Sequence, residues 1–184
     1  MQCTGLEVWG LRRPVVAVAA ATAVLVSMIG AAQPAQASAA YHLVQIKMFD
    51  GQCLGIRNQS ANAGAALEHD RCQNLPSQRF KVMSDGPANP NHEIRTFAEG
   101  MCLTPRAPFL GDGARQPIVQ SHCNGSPLQR FTFFGQYGEP QIEFRTATEL
   151  CWTVAGGGQY GGDIKQYPCE SSGPGYQRFT LVYV

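Results

Sequence analysis

Cysteine is the residue of this chain whose number and spacing say most about chemistry. Seven occur in 184 residues, and six of them, Cys53, Cys72, Cys102, Cys123, Cys151 and Cys169, lie beyond the first fifty positions. An even set in a chain bound for export reads as disulfides. A zinc site would need C-x-x-C or Cys/His clusters at ligand spacing, and neither occurs. Catalytic patterns are also missing. His92-Glu93 opens an H-E-x-x-H, but Thr96 stands where the second histidine belongs. There is no G-x-S-x-G, and the glycine-rich stretch 156–162 lacks the Lys-Ser/Thr of a phosphate loop. His42, His69, His92 and His122 are scattered. Asn58-Gln59-Ser60 and Asn124-Gly125-Ser126 are glycosylation sequons. The expectation is a protein that is not an enzyme and that uses no cofactor and no metal.

Export is read from the first residues. Arg12 and Arg13 precede an uncharged run from Pro14 to Gln33, and Ala35-Gln36-Ala37-Ser38-Ala39 supplies an A-x-A site. A cationic start, an apolar middle and small residues at the end are the layout of a secretory signal peptide. Residues 1–37 are therefore expected to be removed, leaving a mature domain of residues 38–184 that is secreted, extracellular and without stable membrane insertion. The whole chain carries a net charge of +1, and residues 38–184 carry 12 basic and 12 acidic side chains, which cancel. A neutral chain is a poor electrostatic partner for nucleic acid or an anionic membrane. Charged residues are 15% of the total against about 25% in an average soluble domain, and Gly 20 with Pro 12 argues against long helices.

The elements that position these residues come in three copies. Cys53, Cys102 and Cys151 recur at intervals of 49 residues, inside Gly51-Gln52-Cys53-Leu54-Gly55, Gly100-Met101-Cys102-Leu103-Thr104 and Glu149-Leu150-Cys151-Trp152-Thr153. The other cysteines each lead to a Gln-Arg-Phe phrase: Gln78-Arg79-Phe80, Gln129-Arg130-Phe131 and Gln177-Arg178-Phe179. Three tandem copies, about 41–88, 89–137 and 138–184, are a repeat architecture. Symmetry selects one bridge per copy: Cys53–Cys72, Cys102–Cys123 and Cys151–Cys169. In the third copy, residues 142–146, 151–154, 164–167 and 179–184 read as short strands, so each copy should supply about four. That count fits an all-β barrel with a hairpin cap and threefold pseudosymmetry. Because i and i+2 share a strand face, Phe80, Phe131 and Phe179 are expected in the core beside Gln78, Gln129 and Gln177, with the arginines facing out. Buried amides there must find partners, most simply backbone groups of a turn.

The threefold Cys-Leu, Cys, Gln-x-aromatic pattern resembles the ricin B-type β-trefoil lectins, the (QxW)3 family, over residues 41–184, with Phe in place of the usual Trp. The resemblance implies a β-trefoil and one potential sugar site per repeat. The family's sites use an aspartate after Cys-Leu, an aromatic platform near the second cysteine and an asparagine before the Gln. Carboxylate and amide oxygens accept from vicinal hydroxyls while a ring covers the apolar sugar face. Here the aspartate position holds Gly55, Thr104 and Thr153. The asparagine position holds Ser77, Leu128 and Tyr176, and the platform position holds Asp70, Ser121 and Tyr167. The third repeat keeps most, with Thr153, Tyr167 and Gln177, and with Gln159 and Tyr160 on its glycine-rich loop. In the first repeat Glu68, His69 and Asp70 form a polar cluster that can stand in for the lost aspartate. The resemblance thus implies a secreted, monomeric, lectin-like protein that binds carbohydrate through degenerate sites. The alternative is a sugar-silent scaffold that binds a protein partner, an inhibitor or interaction module, through loops such as residues 106–111.

Overall fold

The computed structural model describes residues 41–84, 90–107, 113–135, 141–156, 161–170 and 175–184. The expected signal peptide, Tyr160 with Gln159, and most of the 106–111 loop lie outside the described residues. The chain alternates short β-rich runs with Gly, Pro, Asn and Asp, and each run forms a strand. The first repeat gives β1 (Tyr41–Met48), β2 (Cys53–Ile56), β3 (Leu67–Asp70) and β4 (Phe80–Ser84). The second gives β5 (Asn91–Arg95), β6 (Met101–Pro105), β7 (Ile118–His122) and β8 (Arg130–Phe134). The third gives β9 (Glu143–Arg145), β10 (Leu150–Val154), β11 (Ile164–Pro168) and β12 (Phe179–Tyr183).

Pairing closes the barrel. β1 pairs with β4, β4 with β5, β5 with β8, β8 with β9, and β12 returns to β1, all antiparallel. The last seam is a bridge beside β9, where Ile142 and Phe179 exchange main-chain bonds of 2.7 and 2.9 Å. The remaining strands form three hairpins, β2–β3, β6–β7 and β10–β11. Six barrel strands capped by three hairpins in threefold repetition make a β-trefoil. The three disulfides are Cys53–Cys72, Cys102–Cys123 and Cys151–Cys169, one inside each repeat.

The repeated aromatic sits where strand periodicity puts it. Phe80, Phe131 and Phe179 are buried at the centre with Ile46, Ile94 and Phe144 from the leading strands and Leu54, Leu103 and Trp152 from the hairpins. The second and third repeats share an aromatic cluster, in which Phe144 stacks on Trp152 at 4.6 Å and Phe131 meets Trp152 edge-on at 4.9 Å. The arginines of the Gln-Arg-Phe phrase are half-buried rather than free. Arg178 pairs with the buried Glu143 at 2.9 Å, and Arg79 donates to Asn74.

Hairpins of neighbouring repeats are clasped in a ring. The Gln120 main chain bonds Gly64 and Ala65, Gln166 bonds Arg115 and Gln116, and His69 bonds Gly161 and Gly162. Their side chains face the same neighbours. Gln120 Nε2 donates to Ser60 and Asn62 carbonyls at 2.8 Å, Gln166 Nε2 to the Gly113 carbonyl, and His69 Nδ1 meets the Gly162 carbonyl at 3.1 Å. A carbonyl partner requires the proton on Nδ1. Repeat two thus holds repeat one, three holds two, and one holds three.

Candidate functional site

Each hairpin is followed by a turn that the Gln of the repeated phrase staples down. Gln78 Oε1 accepts from the Gln73 N–H and its Nε2 donates to the Arg71 carbonyl, both at 2.8 Å. Gln129 does the same with the Asn124 N–H and the His122 carbonyl, both at 2.8 Å. Gln177 uses the Glu170 N–H at 2.8 Å and the Pro168 carbonyl at 2.9 Å, and Nε2 also reaches Thr153 Oγ1 at 2.9 Å. All three glutamines are buried. In the first two repeats the stapled turn lies against the outer face of its hairpin, and a shallow cleft opens between them.

In the first repeat the cleft has a volume of about 190 Å³ and is lined by Gly55, Asp70 and Ser77, together with Asn58, Gln59 and Glu68 among others. The three positions named by the repeat alignment therefore meet in one place. Asp70 lies opposite Cys53 on the hairpin and Glu68 opposite Gly55. The Glu-His-Asp run does not act as one cluster. Strand alternation turns Glu68 and Asp70 outward and buries His69 completely in the clasp. Glu68 is held by Arg57 Nε at 2.6 Å, and Arg57 Nη2 reaches Asp163 at 2.5 Å. The hydrogen bond to Glu68 does most to hold the Arg57 guanidinium above its ordinary value; partial burial opposes this, and Asp163 adds to it. Glu68 shares the Arg57 charge with Asp163, whereas Asp70 lines the cleft with no ion pair among the described residues; its Oδ1 accepts the Arg71 N–H. Asn58 and Gln59 line the same cleft with left-handed φ of 55° and 52°. A Cβ at Gly55 would lie 3.0 Å from Gln78 Cγ, so an acidic side chain there would press on the staple.

The second repeat has the roomier cleft, about 310 Å³. Thr104, Ser121 and Leu128 stand at the three aligned positions, and Asn124, Ser126 and Arg106 add polar groups. Thr104 Oγ1 lies 3.3 Å from the Leu128 carbonyl, and Arg106 Nη2 donates to the Gly64 carbonyl at 3.0 Å. The sequence pattern ranked this repeat below the third. Asn124 and Arg106 stand outside the family phrases, and Asn124 offered no signal beyond its sequon.

In the third repeat, Thr153, Lys165 and Tyr167 share the outer face of β10–β11, with Tyr167 opposite Cys151 and half-buried. Thr153 Oγ1 bonds internally to Gln177 Nε2 and to the Cys151 carbonyl at 3.2 Å. Gln177 turns inward as the staple of its turn. Tyr176, at the asparagine position, packs on the core with its ring edge-on to Phe49 at 5.7 Å. The structure thus brings Thr153, Gln177 and Tyr176 together as packing. Two places set a carboxylate beside two sulfurs, Glu93 with Cys102 and Cys123 and Glu143 with Cys151 and Cys169. All four sulfurs are in disulfides and are not thiolate ligands.

A hairpin-capped trefoil with a cleft against each stapled turn in its first two repeats defines a class of protein, and comparison with known families gives that class its name. The model of the ricin-type β-trefoil lectin domain matches residues 90–183, just over half of the 184-residue chain. The chain belongs to that family. No curated protein matches the sequence. Among solved structures, the designed threefold-symmetric protein ThreeFoil superposes with a TM-score of 0.67 at 15% identity, covering 76% of this chain and 97% of that one. The exo-β-1,3-galactanase 1,3Gal43A of Clostridium thermocellum gives 0.66 at 19% identity, covering 80% of this chain and 30% of that one. The C-half of the earthworm R-type lectin, in complex with GalNAc, gives 0.58 at 12% identity, covering 78% and 99%. These likenesses are of fold.

Proposed function

We propose that this protein is a secreted lectin that binds neutral sugars weakly through the clefts of its first and second repeats. One observation carries the reading. Positions related by the repeat, Gly55/Asp70/Ser77 and Thr104/Ser121/Leu128, meet in equivalent clefts beside each stapled turn. Asp70, Asn58 and Gln59 in one, and Ser121, Asn124 and Ser126 in the other, offer acceptors and donors for vicinal hydroxyls. Family membership supports carbohydrate as the ligand class, and the GalNAc complex of the earthworm lectin supports a galactose-type sugar.

Among the described residues neither cleft combines an aromatic floor with a carboxylate, so each site is assigned only a few hydrogen bonds. Affinity per site is then about millimolar, or about 4 kcal/mol, and useful binding comes from engaging two clefts on one branched or polymeric glycan. The role is binding rather than catalysis, and the protein acts as a monomer outside the cell without nucleic acid.

The test is a glycan array followed by calorimetric titration of array hits with the protein and with Asp70→Ala and Ser121→Ala. The reading expects galactose-type hits and weaker binding in each variant. No binding to any glycan at millimolar concentration, with a protein partner recovered instead, would establish the sugar-silent scaffold.

A further inference from the structure

A cleft larger than those of the hairpin cap lies away from the stapled turns. It has a volume of about 540 Å³ and is lined from β1, β4, β5 and the turn that follows β5. Tyr41, Lys81, Arg95, Phe97 and Glu99 face it. Tyr41 and Phe97 are 51% and 36% exposed. Lys81 Nζ stands 5.2 Å from the centroid of the Tyr41 ring.

The charge arrangement is the informative part. Lys81 and Arg95 are directly opposite one another across β4 and β5. Like charges in that position destabilise a sheet. The repeat supplies two internal controls. At the equivalent pairings Lys47 faces Thr180 and Arg145 faces Thr132, so threonine is what the fold uses where nothing else is required. The buried glutamate does not account for the extra lysine. Arg95 Nε bonds Glu93 at 2.7 Å, as Arg145 Nε bonds Glu143 at 2.7 Å beside a threonine. The equivalent cleft at the next repeat junction, about 410 Å³, carries Thr132 and Ala147 where this one carries Lys81 and Phe97. Glu149 of that cleft occupies the turn position of Gly100, so Glu99, like the added cation and ring, has no counterpart there.

We propose that this cleft binds an acidic saccharide, with the carboxylate or sulfate between Lys81 and Arg95 and the pyranose face against Phe97 and Tyr41. The paired cations would be relieved by the bound anion, and the rings would cover the apolar sugar face. Glu99 is left to accept a hydroxyl at the rim. The inference stands apart from the two clefts of the hairpin cap and does not need them to bind sugar.

The test is a titration of the ¹⁵N-labelled protein with trigalacturonate, with a sulfated galactose disaccharide, with neutral galactotriose and with inorganic sulfate. The variants are Lys81→Thr and Phe97→Ala, each copying the residue another repeat already tolerates, with folding checked by circular dichroism. An acidic probe should shift the amides of Lys81, Arg95 and Phe97, and its affinity should fall as salt rises. Lys81→Thr should weaken it about tenfold and Phe97→Ala about fivefold. Binding of the uronate alone, or of the sulfated sugar alone, upholds the site and identifies the anion. The proposal is overturned if neither acidic sugar shifts these amides at millimolar concentration, if galactotriose binds equally well, or if inorganic sulfate binds equally well. Undiminished binding by both folded variants overturns it too.

Discussion

Replacing Gln129 with leucine tests whether the repeated glutamine is a structural staple. The side chain is 2% exposed, and both ends of its amide bond the backbone at 2.8 Å, to the Asn124 N–H and the His122 carbonyl. Leucine nearly conserves volume and removes both bonds. Each lost bond is worth about 1 kcal/mol, and backbone groups left without a partner in a buried turn cost up to about 3 kcal/mol each. Asn124 and His122 are exposed residues, so water can reach part of what is uncovered. The expected loss is therefore near the lower bound, about 2 kcal/mol, seen as a fall in Tm of about 4–8 °C for a domain of this size. Gln129→Glu sharpens the test. One carboxylate oxygen still accepts from Asn124 N–H, while the other meets the His122 carbonyl and repels it. That carboxyl should titrate above its unfolded value. The variant should therefore be best matched to wild type at low pH, losing stability as pH rises through the folded value. Urea unfolding monitored by circular dichroism measures both variants. A change for Gln129→Leu within about 0.5 kcal/mol of zero, the range of an ordinary surface substitution, would refute the staple.

Three further outcomes follow from the same geometry. The paired change Cys151→Ala and Cys169→Ala opens a bridge between residues 18 apart and should cost about 3 kcal/mol by the loop-entropy argument, readable in urea unfolding. Glu149 holds φ at 58° where the other repeats have Gly51 and Gly100, so Glu149→Gly should raise stability by about 1 kcal/mol in thermal unfolding. A Cβ at Gly162 would lie 2.7 Å from the Ala155 carbonyl and from the His69 ring, so Gly162→Ala should cost about 1–3 kcal/mol and speed amide exchange at His69.

The β-trefoil was legible because its determinants are local and thrice repeated. The cysteine pairs, the Gln-Arg-Phe phrase and its period-two burial needed no knowledge of distant contacts. The clasp was not legible. Its inward side chains are His69, Gln120 and Gln166, of which the first differs in type, and their partners are carbonyls of a neighbouring repeat. The Arg57 pairing was hidden in the same way, since Asp163 lies 106 residues further along the chain. The sequence pattern favoured the third repeat as the binding site because it counts residue types, whereas packing decides which groups are open. Thr153 and Gln177 bond one another, while Asp70 and Ser121 line open clefts. Lys81 and Arg95 are 14 residues apart and lie in separate repeats, and only the strand register makes them neighbours.

The central claim, that the clefts beside the stapled turns receive sugar, is tested most directly by titrating the ¹⁵N-labelled protein with N-acetylgalactosamine and galactose. Amide shifts should concentrate at Asp70, Ser77, Thr104 and Ser121, saturate near millimolar ligand, and leave Lys81 and Arg95 unmoved. A spectrum that stays unchanged, or one that responds only outside these two clefts, would contradict the account.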